Sequence, residues 1–149
     1  MFGPSEPSDP SLIRLLVDTG PDKYRHKNAL KALATCEPQL AELSAHEPLV
    51  LLAHDCSPTQ VSARIIAVTE LGVAVVSRKK IEQRLRFADI AETKLLRHPA
   101  GIIVVVETYK AQNDFMPDDW RRHEHVVQFF TATPGAANRV CAAIDQNLN

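Results

Sequence analysis

The spacing of apolar residues changes near residue 48, from the period of helices to the two-residue period of strands. Upstream, Asp9-Pro10 marks a helix start, with the acid as N-cap and the proline as first helical residue. Gly20-Pro21 is expected to end that helix, and a second one is predicted from about Asp22. Because the residue before a proline avoids helical geometry, Glu37-Pro38 is expected to break the second helix and leave a short third one.

Downstream, seven short runs rich in β-branched residues alternate with turn residues, which is the pattern of an antiparallel β-domain. Thr69 and Gly72 bracket one reversal, where glycine is expected to supply a backbone conformation that other residues resist. Lys79-Lys80 and Pro99-Ala100-Gly101 mark two more reversals. The predicted strands are Leu49–His54, Val61–Thr69, Val73–Ser77, Gln83–Phe87, Glu92–Leu96, Ile102–Lys110 and His125–Ala132.

The C-terminal segment has the clearest helical pattern in the chain. It begins at Thr133-Pro134, and its apolar residues form one narrow stripe: Ala137, Val140, Cys141, Ile144 and Leu148. Such a stripe needs a hydrophobic opening to cover, and a half-closed barrel provides one. The pattern therefore predicts an α+β fold that is mainly β: a seven-stranded antiparallel barrel or sandwich, capped by a C-terminal helix and preceded by a helical extension.

Seven strands followed by one helix is the element order of the pleckstrin-homology fold. Between residues 47 and 148 the chain resembles the bacterial pleckstrin-homology-like domains, particularly the YokE-type group. The resemblance rests on the stretches "EPLVLLAHD", "ARIIAVTELGVAVVSRK" and "RLRFADIAETKLLRHPAGIIVVVETY", in which Thr69, Gly72, Phe87 and Ile90 take the family's hairpin and link positions. We therefore expect a pleckstrin-homology-like domain at 47–149, a helical extension at 10–46 and a disordered tail at 1–9.

Composition and charge narrow the class of function. The 149 residues carry a net charge of −1, so no overall field attracts nucleic acid, and no nucleic-acid partner is expected. The three cysteines, Cys36, Cys56 and Cys141, lack metal-ligand spacing, which indicates free thiols in a reducing compartment. The first residues lack the basic and apolar regions of a signal peptide. We therefore expect a cytoplasmic location and no cofactor.

Cations concentrate between residues 78 and 97, where seven basic residues stand against three acids. Five of them form a candidate basic strip: Arg78, Lys79, Lys80, Arg84 and Arg86. This strip suits an anionic lipid surface, another anionic ligand or an acidic partner, and its alternative interpretation is a solvated charged turn. In phosphoinositide-binding pleckstrin-homology domains the basic motif lies mainly on the first two strands and their loop, where the cation here is Arg64. That departure argues against inositol lipids.

Two apolar features point to a contact surface. The acidic segment 111–122 contains Phe115, Met116 and Trp120, which either fold back on the domain or form an interface. The predicted strand at 102–107 is apolar on both faces, so its outer side must be covered. The N-terminal helices and a partner chain are the two candidates for that cover.

Signals of catalysis are weak. The chain has no Gly-rich phosphate loop and no nucleophile elbow, and His123 and His125 lack a third ligand for a metal. His54 and Cys56 share a strand face, which we interpret as a half-buried thiol. The sequence therefore favours a non-catalytic binding module that contacts another protein or self-associates. A peripheral membrane or anionic-ligand binder is the alternative, and a small enzyme is third.

Overall fold

The computed structural model describes residues 6–17, 23–58, 62–109 and 123–148. They form three helices and seven strands, so every predicted strand is present. The elements are α1 (Pro10–Leu15), α2 (Lys23–Ser44), β1 (Leu49–His54), β2 (Arg64–Thr69), β3 (Gly72–Ser77), β4 (Ile81–Arg86), β5 (Ile90–His98), β6 (Gly101–Tyr109), β7 (His123–Thr131) and α3 (Pro134–Asp145), with a single turn of 3-10 helix at Phe87–Asp89 between β4 and β5. None of the helices in these ranges combines the length and the apolar character that a membrane span requires.

The strands form two antiparallel sheets that pack through their inner faces. The first sheet has the order β1-β2-β3-β4 and the second the order β5-β6-β7. Alternate residues of both sheets meet in one core, which includes Ile66 and Val75 from the first sheet and Val104, Val127 and Phe129 from the second. The predicted α+β, mainly β, class is therefore confirmed.

Helix α3 closes this core as its pattern predicts. The Thr133 hydroxyl caps the helix by accepting a hydrogen bond from the Ala136 N–H, and Pro134 follows at the first helical position. The helix contacts strands of both sheets. Its predicted stripe is buried or partly buried in the shared core, while Asn138 and Arg139 are exposed.

Helix α2 covers the outer face of the first sheet and builds a second core there. Its residues Leu33 and Leu40 are fully buried against β1, β2 and β3. Ala67 of β2 lies opposite Ala74 of β3 on this face, and the two small side chains leave room for the helix. The helical extension, one of the two candidates for covering the strand at 102–107, therefore packs on the other sheet instead. On the outer face of β6, Val105 and Glu107 are nevertheless buried.

The predicted break at Pro38 is also wrong, because α2 runs through the proline without interruption. A proline inside a helix removes one backbone hydrogen bond and costs about 3 kcal/mol. Leu40 and Leu43, which follow it, are fully buried, and each contributes about 1.5–3 kcal/mol on burial. Tertiary packing therefore offsets the local cost, while the proline itself faces solvent.

The N-terminal segment is attached at two points. Glu37 of α2 accepts hydrogen bonds from the Ser8 N–H at 2.8 Å and from the Asp9 N–H at 2.9 Å, both in the segment we expected to be disordered. Helix α1 ends at Leu15, before the predicted stop at Gly20-Pro21, which lies outside the described residues. The chain leaves the helix because the Val17 N–H donates to the Leu52 carbonyl at 2.9 Å, on the open edge of β1.

In the β2–β3 turn, glycine is required at position 72 for a different reason from the one expected. The Thr69 hydroxyl accepts hydrogen bonds from the Leu71 and Gly72 N–H groups and so organises the turn. Gly72 does not adopt a positive φ. A side chain there is excluded instead by a close approach, because a Cβ atom would collide with the Leu85 carbonyl oxygen of β4.

Candidate functional site

Two adjoining clefts lie where α2 meets the loop between β1 and β2. We call the first, of about 450 Å³, the helix–loop cleft; its lining includes Asn28, Lys31, His54, Asp55, Cys56 and Ser57. We call the second, of about 500 Å³, the turn cleft; its lining includes Ser77, Arg78, Lys79, Lys80 and Glu82. Thr35, Ser62 and Ala63 line both. The helical extension and the β-domain therefore build this region together.

Asp55 anchors the chain directly after β1, beside the helix–loop cleft. Its carboxylate is buried and pairs with the Arg64 guanidinium at 3.2 Å. One carboxylate oxygen also accepts hydrogen bonds from the Ser57 N–H at 3.0 Å and the Phe130 N–H at 3.1 Å. Because Phe130 belongs to β7, this single side chain ties the end of β1 to the second sheet. The Arg64 cation is thereby engaged within the protein, and Glu82 approaches it at 3.7 Å as well.

His54 and Cys56 form a close pair at the wall of the helix–loop cleft. The Cys56 Sγ lies 3.6 Å from the His54 Nδ1, as the shared strand face indicates. The thiol is half-buried, as predicted, and it opens on the cleft. An imidazole at this distance is able to take the proton of the thiol and to stabilise the thiolate.

The backbone around this pair is not arranged for acyl transfer. Such chemistry requires free N–H groups that point at a developing oxyanion. The Cys56 N–H instead donates to the Phe130 carbonyl at 2.9 Å, and the Ser57 N–H donates to Asp55. Within the described residues, no group of three histidine, cysteine or acidic side chains is placed to hold a metal ion.

The basic strip divides into two parts. Arg78, Lys79 and Lys80 are exposed at the β3–β4 turn and line the turn cleft. Arg84 and Arg86 lie farther along β4, whose six residues span about 20 Å at the usual strand rise. Arg84 pairs with Glu47 at 3.3 Å, at some distance from the turn. The five cations therefore do not converge on one ligand.

The apolar surface that the structure reveals is on β5. Leu95 and Leu96 are 42% and 47% exposed, on opposite faces of the strand. β5 pairs only with β6 among the described strands, so its other edge is open. The predicted contact residues Phe115, Met116 and Trp120 lie outside the described residues, as do the side chains of His123 and His125.

Sequence reasoning missed the β5 edge, although "KLLRH" carries a visible signal. Two adjacent leucines among cations do not alternate as a half-buried strand should. Whether they are exposed depends on the strand's place in the sheet, which no local pattern specifies.

The comparisons with known proteins add no assignment to this geometry. No protein-family model, curated protein or solved structure matches the chain.

Proposed function

We propose that this chain is a non-catalytic binding module with a pleckstrin-homology-like fold, and that it binds an extended, acidic segment of another protein along β5. Seven strands in sheets of four and three, with a C-terminal helix packed against both, support the fold. The family resemblance in "ARIIAVTELGVAVVSRK" supports it further. The cytoplasm is the proposed setting.

The observation that carries the proposal is the open edge of β5 at residues 94–98. An unpaired strand edge presents a row of backbone N–H and C=O groups to which an extended peptide can add. Leu95 and Leu96 provide apolar contact on either face of such an added strand. The open edge of β1, by contrast, is partly occupied by Leu16 and Val17.

Charge favours an acidic partner over a second copy of this chain. Arg97 is exposed and forms no ion pair among the described residues, whereas Lys94, on the other face of β5, pairs with Glu107 at 3.0 Å and with Glu92 at 3.6 Å. The stretch 93–98 carries Lys94 and Arg97 and no acidic residue, so a second β5 strand would bring an edge of the same sign of charge. An acidic strand in the same place is attracted instead.

The non-catalytic part of the proposal is supported by the backbone N–H groups of Cys56 and Ser57, which already donate hydrogen bonds within the protein. The pair of His54 and Cys56 lacks the anion-stabilising partners that acyl transfer needs. A binding function requires only an accessible surface, and the edge of β5 provides one.

The experiment uses two synthetic nine-residue peptides, one alternating glutamate with valine and the other alternating lysine with valine. We expect the acidic peptide to shift the NMR amide signals of residues 94–98, and the basic peptide to leave them unchanged. Leu96→Thr should weaken binding about fivefold, because the exposed half of a leucine contributes about 1 kcal/mol on burial. Leu71→Thr is the matched control, since Leu71 is also about half exposed but lies on the β2–β3 turn.

Several outcomes would overturn the proposal. The first is that the acidic peptide does not bind at about 1 mM, a concentration that would detect even a weak affinity. The others are that both peptides bind equally well, or that the two substitutions weaken binding equally. A dimer in sedimentation experiments whose contacts map to β5 would assign the edge to self-association instead.

A second candidate function is binding of a small phosphate-bearing ligand in the turn cleft. Arg78, Lys79 and Lys80 are exposed there and form no ion pair within the described residues, and the Ser77 and Ser62 side chains line the same cleft. We expect inorganic phosphate to shift the signals of residues 77–80, and salt to weaken the effect, because exposed charges are screened within about 10 Å at 0.1 M salt.

Two substitution pairs test this candidate. Lys79→Gln with Lys80→Gln should abolish the phosphate effect, while Arg84→Gln with Arg86→Gln should leave it intact. Vesicles of phosphatidylserine distinguish a lipid surface from free phosphate, since only a surface ligand retains the chain on sedimented vesicles. Equal loss in both double variants would refute the turn cleft as the site.

A further inference from the structure

We infer that Cys56 is a site of reversible thiol modification, at which a small disulfide carrying carboxylate groups enters the helix–loop cleft and leaves a mixed disulfide on the protein. This inference is independent of the β5 proposal, because it uses residues of α2 and of the loop after β1. It rests on three observations: the neighbouring imidazole, the protection of the other two cysteines, and the shape and charge of the cleft.

The imidazole of His54 is the first observation. Its Nδ1 lies 3.6 Å from the Cys56 Sγ, and both side chains line the same cleft. The thiolate, not the thiol, is the nucleophile in disulfide exchange. A base in contact with the sulfur is placed to accept the thiol proton as the attack proceeds.

The contrast with the other thiols is the second observation. Burial raises the pKa of the Cys36 thiol to about 11, and it also raises the pKa of the Cys141 thiol. Cys36 is fully buried on the face of α2 that packs on the first sheet, and Cys141 lies on the buried face of α3. Neither lines a described cleft. Of the three cysteines, Cys56 therefore combines access to a cleft with a neighbouring imidazole, while burial disfavours the thiolate of the other two.

The cleft itself is the third observation. Its volume of about 450 Å³ accommodates a small organic ligand beside the sulfur. Lys31 and Asn28 line the opposite side, on α2, and they suit carboxylate groups. Asp55 also lines the cleft, but its carboxylate is committed to the Arg64 guanidinium, so it opposes an anionic ligand less than a free carboxylate would.

The reaction is an exchange that balances without a further oxidant. His54 takes the proton of Cys56, and the thiolate attacks one sulfur of the incoming disulfide. A new sulfur–sulfur bond forms, the old one breaks, and the departing thiolate takes up the proton. Cys56 is thereby oxidised and half of the incoming disulfide is reduced to a thiol. Excess thiol reverses the step.

The test treats the full chain with glutathione disulfide and follows intact mass and peptide maps. We expect a single adduct on Cys56 in the folded protein, and adducts on all three cysteines in urea. His54→Asn should slow the reaction about threefold at pH 7, because full ionisation raises the thiolate about 30-fold and the accompanying fall in nucleophilicity cancels most of that gain. The difference should vanish near pH 10, where both proteins are ionised without help.

Lys31→Gln supplies a second, independent measurement. It should slow reaction with glutathione disulfide but not with cystamine, a disulfide that carries amines in place of carboxylates. The inference is overturned if Cys56 gives no adduct in the folded chain, or if Cys36 or Cys141 reacts as fast. Equal rates for the parent and His54→Asn at pH 7, with circular dichroism unchanged, would also overturn it.

Discussion

Replacing Asp55 by alanine tests whether one buried carboxylate holds the end of β1, the clefts and β7 together. The carboxylate is almost fully buried and has three partners: the Arg64 guanidinium and the N–H groups of Ser57 and Phe130. Among the described residues the Arg64 Nε already lacks a hydrogen-bond partner, so losing the carboxylate leaves that cation with Glu82 at 3.7 Å.

The expected cost follows from these contacts. Removing one member of a buried ion pair costs about 3–5 kcal/mol, and the partial exposure of Arg64 favours the lower end of that range. The Phe130 N–H, left without its acceptor, adds about 1 kcal/mol. We therefore expect Asp55→Ala to lower the free energy of unfolding by about 4 kcal/mol, a large part of the usual total of about 5–15 kcal/mol.

Asp55→Asn separates the charge from the hydrogen bonds. An asparagine keeps one oxygen for the two N–H groups but loses the ionic attraction to Arg64, so we expect a loss of about 2 kcal/mol. Urea unfolding followed by circular dichroism measures both variants, with Glu70→Ala as the exposed-carboxylate control that should change stability by less than about 0.5 kcal/mol. A loss below about 1 kcal/mol in the alanine variant, or equal losses in both variants, would refute the reasoning.

Two further predictions concern the first sheet and the N-terminal segment. Gly72→Ala should cost about 2–4 kcal/mol, because its Cβ collides with the Leu85 carbonyl and β3 must move away from β4. A melting temperature lowered by less than about 2 °C would contradict this. Burial raises the pKa of Glu37, but its hydrogen bonds from Ser8 and Asp9 together outweigh burial and leave that pKa lowered. The stability that these hydrogen bonds to Glu37 contribute is therefore fully present above the unfolded pKa of about 4.3, and it is lost as the pH falls through the pKa of the folded state. Hydrogen exchange at the Ser8 and Asp9 amides should accelerate in acid relative to the Thr69 turn, and Glu37→Gln should remove that extra pH dependence.

Much of the β-domain could be predicted locally because its strands and turns carry their own signals. Alternating or continuous β-branched runs located all seven strands. The stripe on α3 identified the helix that closes the core, because its buried residues recur every three or four positions. The continuous apolar runs of β2 and β3 also indicated a sheet covered on both faces, although only the strand at 102–107 was interpreted in that way.

The candidate sites could be predicted only in part. The exposed turn at Arg78, Lys79 and Lys80 follows from its sequence, and so does the shared face of His54 and Cys56. The clefts do not, because α2 forms one wall and lies about 20 residues upstream of the cleft's strand residues.

The sequence by itself determined the order and type of the β-elements and the helix that caps them, since hydrophobic period and turn chemistry act over a few residues. Only the tertiary structure decided that α2 runs through Pro38, that it packs on the first sheet, and that Leu96 is left on an open edge. These outcomes depend on which surfaces meet after the chain folds. The burial of Leu40 and Leu43 against a sheet distant in sequence is enough to outweigh the local cost of Pro38. A pattern that covers only a few residues does not contain this balance.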